Sequence, residues 1–401
     1  MNNSSKLALT GGHAVAYALR QMNPDVMPVY PITPQTPIIE TFAKFQAEKL
    51  VDTELIIAES EHSAISAAVG ASAAGARTVT ATSSQGLALM NEILYIASGL
   101  RLPILMAVSA RALSAPLNIH CDHSDVMGAR DTGWIQIFAE NVQEAYDNTI
   151  IGMKLAEHAR IPVMAIMDGF ITSHSIENLD VLEDRAVRKF VGKYKPEESL
   201  LDVENPVSYG MMALPNKYFD FKIDQHNALV DALNDFQTIA DDFSKISGRP
   251  QGIFETYKTE DADAIMVVAG STAGTAKEAV DKLRAEGQKV GLLKIKLFRP
   301  FPHDEIFKAL SGAKKIAVLD RSMSFGTYPP IYQEIVISMN RVSSIGKIKI
   351  NVIKNTQRII QPYVYGLGGR DIFVAEIEKV FDDLLQGEIS NEIKYIGIKD
   401  N

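Results

Sequence analysis

Residues Val26–Pro37 read VMPVYPITPQTP. An apolar run of strand length, VMPVY, gives way to a segment in which Pro31, Pro34 and Pro37 alternate with Thr33 and Thr36. Proline lacks a backbone N–H and has a fixed φ, so a segment this dense in proline suits neither a helix interior nor a central strand. The stretch predicts a buried strand that delivers a stiff, hydroxyl-bearing loop.

Outward from it the arrangement repeats. Strand-length apolar runs follow at Leu55–Ala58, Thr78–Thr82, Pro103–Ser109 and Pro162–Met167. Helical patterns lie around and between them at Gly12–Gln21, Thr36–Lys49, Glu61–Ala74, Gly86–Gly99 and Asn141–Ala159. Short, continuously apolar strands alternating with helices predict an α/β fold whose parallel sheet is covered on both faces. From Ser173 to about Ala262 the rhythm fails. ENLDVLEDRAVRKFVGKYKPEESLLDVENP is charged and irregular, and HNALVDALNDFQTIADDFSKI reads as one helix. The alternation restarts with AIMVVAG, VGLLKIKLF, KIAVLD and KIKINVI. The expected organisation is an α/β domain over 1–172, a wrapping connector over 173–261, a smaller α/β domain over 262–387 and a tail over 388–401.

Composition narrows the function. A net charge of −9 and a pI near 5.5 speak against nucleic acid as the main partner, because phosphate binding needs a basic face. No apolar run approaches the length of a membrane span. The opening MNNSSKLALTGG lacks the charged and apolar regions of a signal peptide. The single cysteine, Cys121, allows no internal disulfide, which fits a reducing compartment. The expected location is the cytoplasm.

In an open parallel sheet, ligands lie beyond the carboxyl ends of the strands. Here YPITPQTP, ESEHSAIS, SSQGLALM and ARALSAPLNIHCDHSD follow four successive strands, and together they predict one shared site. Glu61 opens a helix of small residues, SAISAAVGASAAGA, suited to close packing against a neighbour. Spacing leaves two readings of it, a functional carboxylate or a first-turn acid stabilised by the helix dipole, and Glu59 is equally available. Arg111 brings a permanent cation to the same region, either as a bidentate partner for a substrate carboxylate or as half of an internal salt bridge. HCDHSD, His120–Asp125, has zinc-type ligands, but in a loop too short for tetrahedral spacing and without a second ligand pair. GSTAGT (Gly270–Thr275) and GLGGRD (Gly366–Asp371) are either places of close backbone approach, the first to a phosphate, or plain turns. The chain has no G-x-x-x-x-G-K-[ST], no G-x-G-x-x-G opening the first helix and no C-x-x-C, and one cysteine cannot hold an iron–sulfur cluster.

YPITPQTP, ESEHSAISAAVGASAAGARTVTATSSQGLALMNE, RALSAPLNIHCDHSD, ARDTGWIQ, FRPFP, DRSMSFG and GLGGRD, in this order along nearly the whole chain, closely resemble the alpha subunit of the 2-oxoacid:ferredoxin oxidoreductases. RALSAPLNI is most like the pyruvate enzyme, while YPITPQT also suits relatives acting on branched-chain 2-oxoacids. The resemblance implies a pyrimidine-type thiamine diphosphate domain first and a domain like the C-terminal one of transketolase second. It places the activating glutamate at Glu61 rather than Glu59, with its carboxylate on the aminopyrimidine ring nitrogen to promote loss of the thiazolium C2 proton. It places Pro31 and Ile32 beside that cofactor, Thr33 and Arg111 on the substrate, and coenzyme A as the acceptor of the acyl group. Pro31 and Pro34 would present the Thr33 hydroxyl at low entropic cost.

G-D-G followed by N-N, the motif that binds Mg²⁺ and diphosphate in thiamine enzymes, is absent. The resemblance therefore implies a beta subunit carrying Mg²⁺ and the diphosphate, and [4Fe-4S] clusters on gamma and ferredoxin-like delta subunits or fused equivalents. Ferredoxin would be the electron carrier, and the chain alone would be inactive. No role transfers to His120, Cys121 or His123. Two rival expectations remain: the same chemistry on 2-oxoisovalerate or another 2-oxoacid, and a non-catalytic scaffold subunit.

Overall fold

The computed structural model describes residues 4–340, 358–387 and 392–398. It begins with β1 (Ser4–Thr10), α1 (Gly11–Met22), β2 (Val26–Val29), α2 (Thr36–Ala47), β3 (Glu54–Ile57), α3 (Glu61–Ala73), β4 (Thr78–Thr82), α4 (Ser84–Leu89), α5 (Asn91–Gly99) and β5 (Ile104–Ala110). There follow α6 (Ser124–Gly128), β6 (Ile135–Phe138), α7 (Val142–Ala159), β7 (Val163–Asp168), α8 (Ile171–His174), β8 (Ile176–Leu182), α9 (Asp184–Val191) and α10 (Pro215–Ser247). The last third holds β9 (Phe254–Tyr257), β10 (Ala264–Ala269), α11 (Thr272–Ala285), β11 (Val290–Ile295), β12 (Leu297–Arg299), α12 (His303–Leu310), β13 (Lys315–Asp320), α13 (Pro330–Asn340), β14 (Ile359–Val364), α14 (Val374–Gln386) and β15 (Lys394–Tyr395). The strand expected at Lys347–Ile353 lies outside the described residues.

Seven strands form a sheet in the order β12-β6-β7-β5-β4-β2-β3, parallel except for β12. Every residue of β4, β5 and β7 is buried, as strands covered on both faces require. Edge strand β3 instead leaves Ile56 and Ile57 exposed. Pro28 in β2 has no N–H for its neighbour, and β2 meets β4 only at Val26 opposite Thr78. Beyond that pair the Thr80 hydroxyl donates to the Pro28 carbonyl at 2.7 Å. A second sheet runs β15-β14-β13-β10-β11-β9, with β9 antiparallel, and β1 pairs with β8 in an antiparallel ribbon.

Helix starts follow their capping residues. Thr10 caps α1, Ser60 caps α3 and Asn141 caps α7, each accepting an N–H from three residues on. The single helix expected over Gly86–Gly99 is two, α4 and α5, meeting at Met90. The charged segment after Ser173 is not irregular throughout. Leu179, Val181 and Leu182 of β8 and Val187, Phe190 and Val191 of α9 are buried in the core, so apolar spacing outweighs local charge there. The helix read at 226–246 begins earlier, at Pro215, and α10 packs on α7.

The two larger sheets share apolar contacts. One core cluster contains Trp134, Phe138 and Ile166 from around the seven-stranded sheet with Ile265, Leu293 and Val318 from the six-stranded one. Phe298 in β12 sits between them, edge-on to Phe138 at 6.2 Å between ring centroids. Strand β12 follows β11 after one residue, Lys296, yet joins the other sheet beside β6.

Candidate functional site

The carboxyl ends of β5, β4, β2 and β3 lie side by side, so the loops that follow them open on one edge of the sheet. The loop after β2 is fixed from within. Buried Gln35 donates through Nε2 to the Ala81 carbonyl of β4 at 2.8 Å, and its backbone N–H donates to the Ile32 carbonyl at 2.8 Å. Pro31 and Thr33 stand exposed on that anchor and Ile32 is half-buried.

Glu61 is the first residue of α3 and is 7% exposed. Among the described residues its carboxylate takes part in no hydrogen bond or ion pair. It lies over α4 at Gly86. A Cβ there would stand 2.7 Å from Glu61 Oε1 and 2.5 Å from Thr82 Oγ1, so only glycine leaves room for the carboxylate. Thr82 Oγ1 is itself buried and, among the described residues, without a hydrogen-bond partner. Glu59 differs in every respect. It is exposed, accepts the Ser63 hydroxyl at 2.5 Å, and that bond holds its carboxyl below the usual value.

Arg111 follows β5 and is 6% exposed. Its Nη1 donates to the Thr33 carbonyl at 2.7 Å and its Nε to the Asn118 carbonyl at 3.2 Å. The structure thus brings Arg111 and Thr33 together. It also narrows the expected bidentate fork, because two of the three guanidinium nitrogens face the protein and Nη2 remains.

Asp125 ties these pieces together. One oxygen, Oδ2, accepts the Ser84 N–H at 2.8 Å and the Arg111 N–H at 3.0 Å, while Oδ1 accepts the Val126 N–H at 2.7 Å. Burial pushes its carboxyl up to about 7, against the pull of these donors. Ser84 has φ +48°, a left-handed conformation costly for a residue with a Cβ, and its hydroxyl donates to the Ala112 carbonyl at 2.5 Å. The path from Glu61 to Gly86, Ser84, Asp125, Arg111 and Thr33 is continuous. Sequence reasoning missed Gln35, Thr82, Ser84, Gly86 and Asp125. Asp125 was in view only as a member of HCDHSD.

That loop has a second occupation. His123 Nε2 meets Asp168 Oδ1 at 2.8 Å, and Asp168 Oδ2 accepts from Arg321 Nη1 at 3.1 Å and from the Ser271 hydroxyl at 2.7 Å. Burial alone would raise the Asp168 carboxyl, but His123 and Arg321 outweigh it and hold it well below the usual range. Cys121, His123 and Asp168 offer ligand atoms within 4.8 Å of one another. The Arg321 guanidinium on the same carboxylate makes this an ion-pair network and a poor host for a second cation. The GSTAGT turn belongs to it as well. The Ser271 N–H donates to Asp168 Oδ2 at 3.1 Å, so the turn receives a carboxylate of the protein rather than a phosphate.

GLGGRD is a place of close approach. At Gly369, φ is +80° and a Cβ would collide with His120 Cβ. Asn118 Nδ2 donates to the Gly368 carbonyl at 3.0 Å, and the Gly368 N–H donates to Asp122 Oδ2 at 3.1 Å. The six-stranded sheet thereby supports the Arg111 loop from behind. Around the open edge Tyr30, Ile57, Leu89, Leu117 and Ile119 are exposed.

Comparison with known proteins gives this geometry a setting. Residues 17–240 match the family model described as pyruvate flavodoxin/ferredoxin oxidoreductase, thiamine diphosphate-binding. Residues 262–377 match pyruvate:ferredoxin oxidoreductase core domain II. The chain is 50% identical to pyruvate synthase subunit PorA of Thermotoga maritima, over 98% of each chain. It is 40% identical to the PorA subunit of Methanocaldococcus jannaschii, again over 98% of both, and 40% identical to ketoisovalerate oxidoreductase subunit VorA of Pyrococcus horikoshii over 99% of both. Its fold matches that of 2-oxoglutarate:ferredoxin oxidoreductase from Magnetococcus marinus with a TM-score of 0.72 at 21% identity, covering 95% of this chain and 65% of that one. Half of its residues are shared with one such subunit from end to end, and two successive models of a single enzyme account for most of its length, so the chain belongs to the pyruvate:ferredoxin oxidoreductase family.

Proposed function

We propose that the chain is the alpha subunit of a thiamine diphosphate-dependent pyruvate:ferredoxin oxidoreductase. The reaction is the reversible oxidative decarboxylation of pyruvate with coenzyme A, giving acetyl-CoA and CO₂ and passing electrons singly to ferredoxin. In this reading residues 1–172 form the pyrimidine-binding domain, 173–261 the connector, 262–387 the transketolase C-terminal-like domain and 388–401 the tail. The enzyme works in the cytoplasm.

The observation that carries the proposal is Glu61, a nearly buried carboxylate with no partner among the described residues, in a recess that only glycine at 86 keeps open. An acceptor left unmatched in so closed a place fits a ring N–H donor, and the buried, partnerless Thr82 Oγ1 beside it fits a ring edge with polar atoms. Thiamine diphosphate, when bound, supplies the electron sink that decarboxylation of a 2-oxoacid needs. The chain's own residues do the rest on this side. Glu61 holds a proton at the ring nitrogen, with Pro31 and Ile32 against the cofactor. The Nη2 of Arg111 holds the substrate carboxylate and Thr33 presents its hydroxyl to the 2-oxo group. Bonds from Gln35 to Ala81 and from Arg111 to Thr33 keep that loop rigid, so little ordering entropy is lost on binding.

The chain has no motif for the diphosphate, so a beta subunit brings Mg²⁺ and the diphosphate site to the open edge, over the exposed rim of Tyr30, Ile57 and Leu89. Gamma and delta subunits, or fused equivalents, carry the [4Fe-4S] clusters. Glu61→Gln in the assembled complex tests the proposal. An amide cannot hold the proton as a carboxylate does, and turnover falls about 10²–10⁴-fold with the complex intact. A wild-type rate would remove Glu61 from the chemistry and favour a scaffold subunit. A panel of 2-oxoacids on the same preparation separates pyruvate from 2-oxoisovalerate.

A further inference from the structure

Parallel strands β4 and β5 are paired from Thr78 and Ile104 as far as Thr82 and Val108. Past that point the two chains diverge, β4 into the turn that starts α4 and β5 into the long loop that begins at Arg111. The N–H groups of Ser84 and Arg111 both lie in buried residues just beyond the ladder, where an unsatisfied donor costs about 1–3 kcal/mol. Neither finds a backbone acceptor among the described residues. Both donate to one oxygen of Asp125, at 2.8 and 3.0 Å. The side chain of Asp125 therefore extends the coupling between the two strands by one further step, at the level where the candidate site begins.

What hangs on the two ends of this bridge is specific. Two residues beyond Ser84 is Gly86, the floor under Glu61. The other end is Arg111 itself, whose guanidinium lies on Thr33. The bridge is reinforced by the Ser84 hydroxyl on the Ala112 carbonyl at 2.5 Å, and Ser84 holds a left-handed conformation that its surroundings must impose. Asp125 is 3% exposed and its oxygens are engaged by backbone N–H groups alone, with no ion pair among the described residues. A buried carboxylate kept without a salt bridge is costly, and three N–H donors converging on it explain why a carboxylate is there. An amide in its place would turn an NH₂ toward at least one of the three.

We propose that Asp125 is a positioning residue, holding the turn that carries Gly86 beneath Glu61 at a fixed distance from the backbone of Arg111. The proposal rests on the reading of Glu61 and Arg111 given above. Together with the Ser83 hydroxyl on the Ser109 carbonyl at 2.7 Å and the Ser84 hydroxyl on the Ala112 carbonyl, Asp125 would set the spacing between the proton-handling carboxylate and the substrate's cation without touching substrate or cofactor. A misplacement of about 1 Å in such a pair costs about 10²-fold in rate.

The test uses the assembled enzyme, with Asp125→Ala, Asp125→Asn and Glu61→Gln prepared in parallel. The readouts are kcat and KM for pyruvate per bound thiamine diphosphate, together with the melting temperature of the complex. Asp125→Ala should lower kcat about 10²-fold and raise KM several-fold in sites that still hold cofactor. Asp125→Asn can keep the Ser84 and Arg111 N–H groups on its one amide oxygen and lose only the Val126 contact, so it should restore most of that loss. If Asp125→Ala does not assemble, Asp125→Leu, which fills the site without offering an acceptor, takes its place. Wild-type kcat and KM in Asp125→Ala, or in Asp125→Leu where it is used, overturn the proposal, whatever happens to the melting temperature, because a purely structural role moves stability and not the parameters per loaded site. An active Glu61→Gln sinks the reading of the site instead, so the two failures are distinguishable.

Discussion

Gly86→Ala asks for one methyl group in the recess that holds Glu61. The new Cβ would stand 2.5 Å from Thr82 Oγ1, 2.7 Å from Glu61 Oε1 and 2.8 Å from Glu61 Cγ, all well inside contact distance. Gly86 does not have a positive φ, so alanine fits the backbone and the substitution tests space alone. Two stability effects oppose each other. Replacing a glycine inside a helix gains about 0.5–1 kcal/mol, and overpacking a filled site costs about 1–3 kcal/mol. The net loss is therefore about 2.5 kcal/mol at most, small enough for the subunit to fold and assemble. The effect on catalysis is larger. Relief of the clash comes most cheaply from rotating the Glu61 side chain, since Thr82 lies in a fully buried strand. In the proposed function a displaced carboxylate would lose the ring nitrogen and with it about 10²–10⁴-fold in turnover. Pyruvate-dependent reduction of a dye by the purified complex measures this, with a thermal melt of the same sample for assembly. An intact Gly86→Ala complex with wild-type kcat would show that the recess under Glu61 is not where the cofactor is held.

The remaining predictions concern the substrate and the divided site. Arg111→Ala should raise KM for pyruvate through loss of a charge-assisted bond worth about 1.5–3 kcal/mol, while Thr33→Val keeps the shape and costs less. Unchanged kcat and KM in both variants would place the substrate elsewhere. Calorimetric titration of the isolated chain should find weak or no binding of thiamine diphosphate with Mg²⁺, and metal analysis should find no iron. Micromolar, Mg²⁺-dependent binding to the chain alone would reveal a diphosphate site that its motifs do not show.

The α/β fold was legible where strands are buried on both faces. ILMAVSA and VMAIMD are apolar along nearly their whole length, so their reading needed no partner. Strands β6 and β12 were not. Ile135–Phe138 is four residues following a Gly-Trp pair, and Leu297–Arg299 reads as the tail of the strand before it. Only packing shows that Lys296 separates two strands of different sheets. In the site, spacing could not choose between Glu59 and Glu61. Glu61 differs from Glu59 in lying in a recess made by Gly86 and Thr82, residues 20 or more positions away in sequence, and the choice of Glu61 rests on family resemblance. Asp125 was hidden for a related reason. Its acceptors serve backbone N–H groups, which carry no residue-type signature, and its neighbours His120, Cys121 and His123 drew the eye toward metal chemistry.

Strand β12 governs how this polypeptide can be cut. It lies late in sequence, at Leu297–Arg299, yet it covers the outer edge of β6 at Ile135–Phe138. Any break between Phe138 and Leu297 therefore puts the two strands on different pieces, wherever the matches to separate family models happen to end. The leading piece would present β6 as a bare edge, an invitation to pair with another copy of itself. The trailing piece would carry Phe298, which is fully buried in the intact chain, out into water. Fragments made this way would need each other for solubility, and they would have to be produced together to reassemble.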